Sequence, residues 1–166
     1  MKTLALSAAL LLACLASASA QINWMTWEEA VAANAKQPRK IFVDVYTDWC
    51  GWCKKMDQTT FRNPEVVRAL NEDFYAVKLD AEQREDIVWN GTTYSFEAGG
   101  RRGVHGLAKE LLQGRLGYPT VVFLDERIKV IQPVPGFHEA KPFAKIVHYF
   151  GSDEYKQTPW AEYSGE

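Results

Sequence analysis

The sequence predicts an α/β fold: a central β-sheet of mixed direction flanked by helices. Three observations point there. Runs rich in β-branched and aromatic residues, "IFVDVYT" (41–47), "FYAVKLD" (74–80) and "GYPTVVFLD" (117–125), recur along the chain, and the first is apolar on both faces, as strands inside a covered sheet are. Helical patterns separate these runs, the alternation that builds α/β sheets. A further stretch, "KVIQPVPGF" (129–137), follows the third run closely and makes a late hairpin-like pair, so at least one strand runs antiparallel.

The first twenty residues read differently. A basic start (Lys2), an apolar run from Leu4 to Leu15 and the small residues "ASASA" form a secretory leader, with Ala18 and Ala20 fitting an A-x-A cleavage pattern before Gln21. The alternative is a lipobox-like reading of "LLLAC", in which Cys14 is lipidated and anchors the protein to a membrane. With the leader removed, 19 basic residues less Lys2 leave 18 against 21 acidic ones, a formal charge of −3, which favours neither nucleic acid nor anionic lipid as a partner. The full chain is 47% hydrophobic, and residues 21–166 can bury one core, so a single monomeric domain is expected.

The elements follow in order. "TWEE" sets Thr26 three residues before Glu29, a capping box that opens a helix over 27–36. The strand at 41–47 leads directly into "DWCGWCKKMD", which should open the next helix. In "RNPEVVRALNEDF", Asn63 is an N-cap and Pro64 occupies the first helical position, where its missing amide proton costs nothing. "IVWNGTTYSF" (87–96) places Asn90-Gly91 between two strand-like arms, as a type I′ hairpin requires; the turn accounts for this triplet better than its match to a glycosylation acceptor. A loop, a helix near 104–113 and a last helix around 139–150 complete the pattern. The polar segment 151–166, with isolated aromatics, is expected to pack loosely along the body.

The residues with chemistry are Cys50 and Cys53, the only cysteines left after the leader. A C-x-x-C at the exit of a buried strand sets its first sulfur near free amide protons and the positive end of a helix dipole, which favour thiolate over thiol. Cys50 is then the nucleophile on a partner disulfide, and Cys53 is close enough to resolve the mixed disulfide. Structural zinc usually takes four ligands, and His105, His138 and His148 are widely spaced, so a metal-carrier reading lacks ligands. A static staple closing so short a loop would constrain the unfolded chain little.

"VDVYTDWCGWCK", "VKLD" and "GYPTVVFLD" together resemble the active-site strand, the lysine-bearing strand and the cis-proline loop of the thioredoxin superfamily, over most of residues 25–150. "MDQTTFRNPEVVRALNEDFYAVKLD" is similar to exported members and to the periplasmic C-terminal domain of transmembrane thiol-disulfide interchange proteins. The resemblance implies a thioredoxin fold with a β-hairpin insertion, about 84–103, before the cis-proline region. It also implies roles. Asp44 would be a buried carboxylate serving Cys53, moderated by Lys78. Pro119 would be cis and leave the Tyr118 backbone free for an extended substrate, and Trp49 and Trp52 would offer an apolar contact surface.

The implied protein exchanges disulfides with periplasmic proteins without a diffusible cofactor and draws electrons from a membrane redox protein; keeping apocytochrome cysteines reduced is one use it permits. Gly51, Asp44 and Lys78 lean toward reduction. Trp52, where thioredoxins proper carry proline, leaves the direction open. The insertion has no counterpart among the family landmarks and is expected to shape partner choice at the active-site rim. The rival from another class is a binding module for extended polypeptides whose cysteines stay idle.

Overall fold

A computed structural model describes residues 21–100 and 102–165; the expected leader and Cys14 lie outside the described residues. Five strands form the main sheet: β1 (Trp24–Met25), β2 (Lys40–Tyr46), β3 (Phe74–Asp80), β8 (Thr120–Leu124) and β9 (Val130–Pro135), in the spatial order β1-β3-β2-β8-β9. β1, β3 and β2 are parallel, whereas β8 and β9 each run antiparallel to their neighbour. The mixed sheet is therefore as the sequence implies, with the two-residue β1 as an unforeseen edge.

Helices cover both faces: α1 (Trp27–Lys36) and α4 (Gly106–Leu111) on one, α2 (Gly51–Gln58), α3 (Pro64–Asp73) and α5 (Ala140–Gly151) on the other. Strand alternation sorts the core accordingly. Ile41, Val43 and Val45 of β2 pack with Trp27, Ala30, Leu107 and Leu111, while Phe42 turns to Met56, Val66, Leu70 and Phe143. Asp44 has the parity of Phe42, so it faces the layer that carries α2.

Local chemistry sets the helix ends. The Thr26 hydroxyl accepts from the Glu29 amide at 3.2 Å and the Glu29 carboxylate accepts from the Thr26 amide at 2.8 Å, completing the capping box. Asn63 Oδ1 accepts from the amides of Glu65 (3.0 Å) and Val66 (3.3 Å) at the head of α3. Asn63→Ala is expected to lower the unfolding free energy by about 1 kcal/mol, measured by urea titration; an unchanged midpoint would refute the cap's contribution.

The insertion contains the hairpin β4 (Ile87–Trp89) and β5 (Thr92–Tyr94), with Asn90 and Gly91 at φ 51° and 75° as a type I′ turn demands. A second small pair, β6 (Phe96–Glu97) with β7 (Val104–His105), closes its base, so the helix expected from 104 begins only at Gly106.

The C-terminal segment departs from expectation: it docks rather than lying loose. After a 3-10 turn at Glu154–Lys156 comes α6 (Trp160–Ser164), and Trp160 and Tyr163 pack on Tyr149 with ring centroids 5.2 and 4.9 Å away. Tyr149 donates to the Thr158 carbonyl at 2.7 Å, and buried Lys40 pairs with Asp153 at 2.8 Å. The isolated aromatics are the segment's attachment points.

β9 ends the sheet. Gly136 donates to the Pro119 carbonyl at 2.8 Å, which puts residues 132, 134 and 136 in register to bond β8 and turns Pro133 and Pro135 outward. Their carbonyls accept from the side chains of Gln132 (3.0 Å) and His138 (3.2 Å).

Candidate active site

β2 ends at Tyr46, and the chain turns through Thr47, whose carbonyl accepts from the Cys50 amide at 3.1 Å, to start α2 at Gly51. Cys50 is the N-cap of α2, and its sulfur accepts from the Cys53 amide at 3.1 Å. The helix thus begins by turning a free amide proton onto the first sulfur, where a thiolate would be stabilised. Cys50 and Cys53 form a disulfide with their Cα atoms 5.3 Å apart. In this oxidised form burial does not separate the two, at 4% and 3% exposure.

Behind the pair lies Asp44, opposite Lys78 of β3 and Val121 of β8. It is 1% exposed; its Oδ2 accepts from Lys78 Nζ at 2.6 Å, and its Oδ1 has no hydrogen-bond partner among the described residues. Burial pushes the carboxyl up to about 6, against the opposing attraction of Lys78 and with a further push from Asp57. Desolvation outweighs the ion pair.

Lys78 also pairs with Asp57 Oδ1 at 2.5 Å, and its Nζ lies 5.1, 4.8 and 5.6 Å from the ring centroids of Trp24, Tyr46 and Phe61. Burial lowers the Lys78 pKa, but its two carboxylates outweigh that and hold it above the ordinary lysine value. Asp57 escaped the sequence reading. The signal was available: Asp57 follows Cys53 by four residues on α2 and so shares the face that looks onto the sheet.

The rim is aromatic. Trp49 and Trp52, 50% and 61% exposed, flank Cys50. Trp52 packs on Phe137 at 5.0 Å, while Trp49 meets the Tyr118 ring edge-on at 5.9 Å. The Tyr118-Pro119 bond is cis. Val45 pairs with Thr120, so Pro119 enters the sheet beside the end of β2 from which the cysteine turn departs. All eight residues singled out in the sequence fall around this one end of the sheet. His105, by contrast, is fully buried; its Nε2 donates to the Glu85 carbonyl and its Nδ1 accepts from the Leu107 amide, a fastening of the insertion base. Among the described residues no group of three or more His, Cys, Asp or Glu is placed to hold a metal ion, and no helix is long and apolar enough to cross a membrane.

Comparison with known proteins agrees with this geometry. Residues 4–141 match the family model Thioredox_DsbH, described as "Protein of unknown function, DUF255". Over 67 residues, 40% of this chain and 8% of the relative, the sequence is 39% identical to human spermatogenesis-associated protein 20. Over 124 residues, 74% of this chain and 18% of the relative, it is 30% identical to the thiol:disulfide interchange protein DsbD of Pseudoalteromonas atlantica. The chain therefore spans under a fifth of the length of either relative. Among solved structures, one titled "DsbH Oxidoreductase" aligns with a TM-score of 0.57 at 19% identity, covering 81% of this chain and 88% of that one, and shares the thioredoxin fold. With a thioredoxin-type sheet, a disulfide at the head of α2 and a family match across most of its length, the chain belongs to the thioredoxin-like DsbH (DUF255) family.

Proposed function

We propose that the protein is an exported thiol-disulfide oxidoreductase that reduces disulfides of periplasmic proteins, or relays electrons to them, through Cys50 and Cys53. The carrying observation is the Cys50–Cys53 disulfide at the start of α2 with the buried, Lys78-paired carboxylate of Asp44 on the sheet beneath that helix. Likeness to DsbD over three quarters of the chain supports the reading.

In the reducing direction, the Cys50 thiolate attacks one sulfur of the substrate disulfide and the other leaves as a thiolate that takes a proton. Asp44, as a carboxylate, accepts the proton of the Cys53 thiol; the Cys53 thiolate then attacks Cys50 and expels the second substrate sulfur. Two electrons pass to the substrate and the Cys50–Cys53 disulfide remains. No diffusible cofactor enters. A membrane redox protein returns the electrons by the same exchange, and apocytochrome cysteines are one class of substrate this chemistry serves. Trp49, Trp52 and the backbone at Tyr118, beside Pro119, receive an extended substrate strand.

The exposed tryptophans equally suit a binding module with idle cysteines, and one measurement separates the two. Dithiothreitol-driven insulin reduction is expected from the wild type and not from Cys50→Ser. Equal rates would reject the exchange reading in favour of binding.

A further inference from the structure

We propose that Arg102, at the end of the inserted segment, is a specificity-determining residue: it fixes the exposed indole of Trp49 beside Cys50 and so favours polypeptide disulfides over small ones. The inference rests on the exchange reading and adds to it which disulfides are preferred.

Trp49 is half-exposed yet held on three sides. Its indole N–H donates to Glu82 Oε1 at 2.9 Å, the Tyr118 ring meets it edge-on, and the Arg102 guanidinium lies over the ring 5.1 Å from its centroid. Glu82 and Arg102 bracket the insertion, so both ends of that segment close on the tryptophan. Arg102 forms no ion pair among the described residues; the aromatic face is its contact.

The base on which Arg102 stands is rigid. Gly103, at φ 76°, donates to the Gly99 carbonyl at 2.7 Å, and a Cβ there would run into the Phe96 ring and the Glu97 carbonyl. Next to it, buried His105 ties the segment to the body: its amide donates to the Ala81 carbonyl at 2.7 Å and its ring bonds Glu85 and Leu107. Arg84 lies over Phe96 in the same way that Arg102 lies over Trp49, 4.2 Å from the centroid. The insertion is thus a fastened arm that ends on the active-site rim.

An exposed aromatic side chain that is already immobile loses little rotamer freedom when a partner packs on it, and that saving appears as affinity. A polypeptide flanking the target disulfide can cover the open surface of Trp49, whereas a small disulfide reaches Cys50 without touching it. Guanidinium suits the place because it is planar and stacks on an indole, which an ammonium does not.

The test compares two substrates under steady-state conditions. Arg102→Ala is expected to raise KM for insulin about three- to tenfold with kcat retained, while kcat/KM for 5,5′-dithiobis(2-nitrobenzoic acid) stays as in the wild type. Arg102→Lys should recover only part of the insulin KM. On a Trp49→Ala background, Arg102→Ala should add nothing, since both act through one ring. An unchanged insulin KM, an equal change for both substrates, or full additivity with Trp49→Ala would each overturn the proposal. A wild type that reduces neither substrate would overturn the exchange reading itself, and this inference with it.

Discussion

Asp44→Asn is expected to slow insulin reduction at pH 7 by about a hundredfold, the lower end of what a positioned proton acceptor contributes, and to make the oxidised protein more stable. The two effects share one cause. Folding takes the carboxyl from water and lifts its pKa from 3.8 to about 6, so the native state holds a proton more tightly than the unfolded chain. The stability this gives is fully present below pH 3.8 and is lost as pH rises through about 6. By linkage the loss amounts to about 3 kcal/mol at neutral pH. Asparagine, neutral at every pH, avoids it. The gain of the variant over the wild type, measured by denaturant unfolding of the oxidised forms, should be about 3 kcal/mol at pH 7.5 and small at pH 4. A gain independent of pH would show that the carboxyl is not held above its ordinary value.

Phe42→Ala is expected to cost about 3 to 5 kcal/mol, a large share of the roughly 5 to 15 kcal/mol that holds a domain folded. Phe42 is fully buried at the centre of β2 and touches five other rings: Phe123 at 5.5 Å, Phe61 and Phe143 at 6.1 Å, Trp24 at 6.2 Å and Phe74 at 6.5 Å. These come from β8, the turn before α3, α5, β1 and β3, so the cavity would open where most of that core layer meets and could not collapse by moving one element. Urea unfolding followed by far-ultraviolet circular dichroism gives the value. Phe42→Leu should lose less, and a loss below about 1.5 kcal/mol for alanine would mean that the surrounding rings close the gap.

Much of this arrangement was legible before the structure, and the reasons are local. β2, β3 and β8 announce themselves because strands buried on both faces need continuous apolar runs, and α1 and α3 because Thr26, Glu29, Asn63 and Pro64 are capping chemistry written in adjacent residues. Asn90-Gly91 marks its turn for the same kind of reason.

What escaped depends on partners distant in sequence. β1 is two residues long and is a strand only because β3 lies beside it. The pair β6 and β7 is equally short, and it takes from the expected helix the two residues before Gly106. The C-terminal aromatics look isolated along the chain because the residue that unites them, Tyr149, precedes them on α5.

At the site, the cysteines, Asp44, Lys78 and Pro119 could be placed from motif and order. Arg102 could not, because its contact is made by the far end of an insertion; Asp57 shares the sheet-facing side of α2 with Cys53, but its partner Lys78 stands on another strand, so spacing gives its place and only the fold gives its pairing.

The last strand bears on how such a protein survives its own clientele. On the exchange reading proposed above, its substrates are chains that are partly unfolded, rich in unsatisfied backbone groups and ready to extend any sheet offered to them. With Pro133 and Pro135 turned outward, β9 has no amide proton to give at those positions, and the two carbonyls left there are already occupied by Gln132 and His138. The opposite border, β1, is too short to template anything. Neither border of the main sheet therefore offers an uninterrupted run of free backbone groups to a passing strand, which disfavours edge-to-edge pairing there.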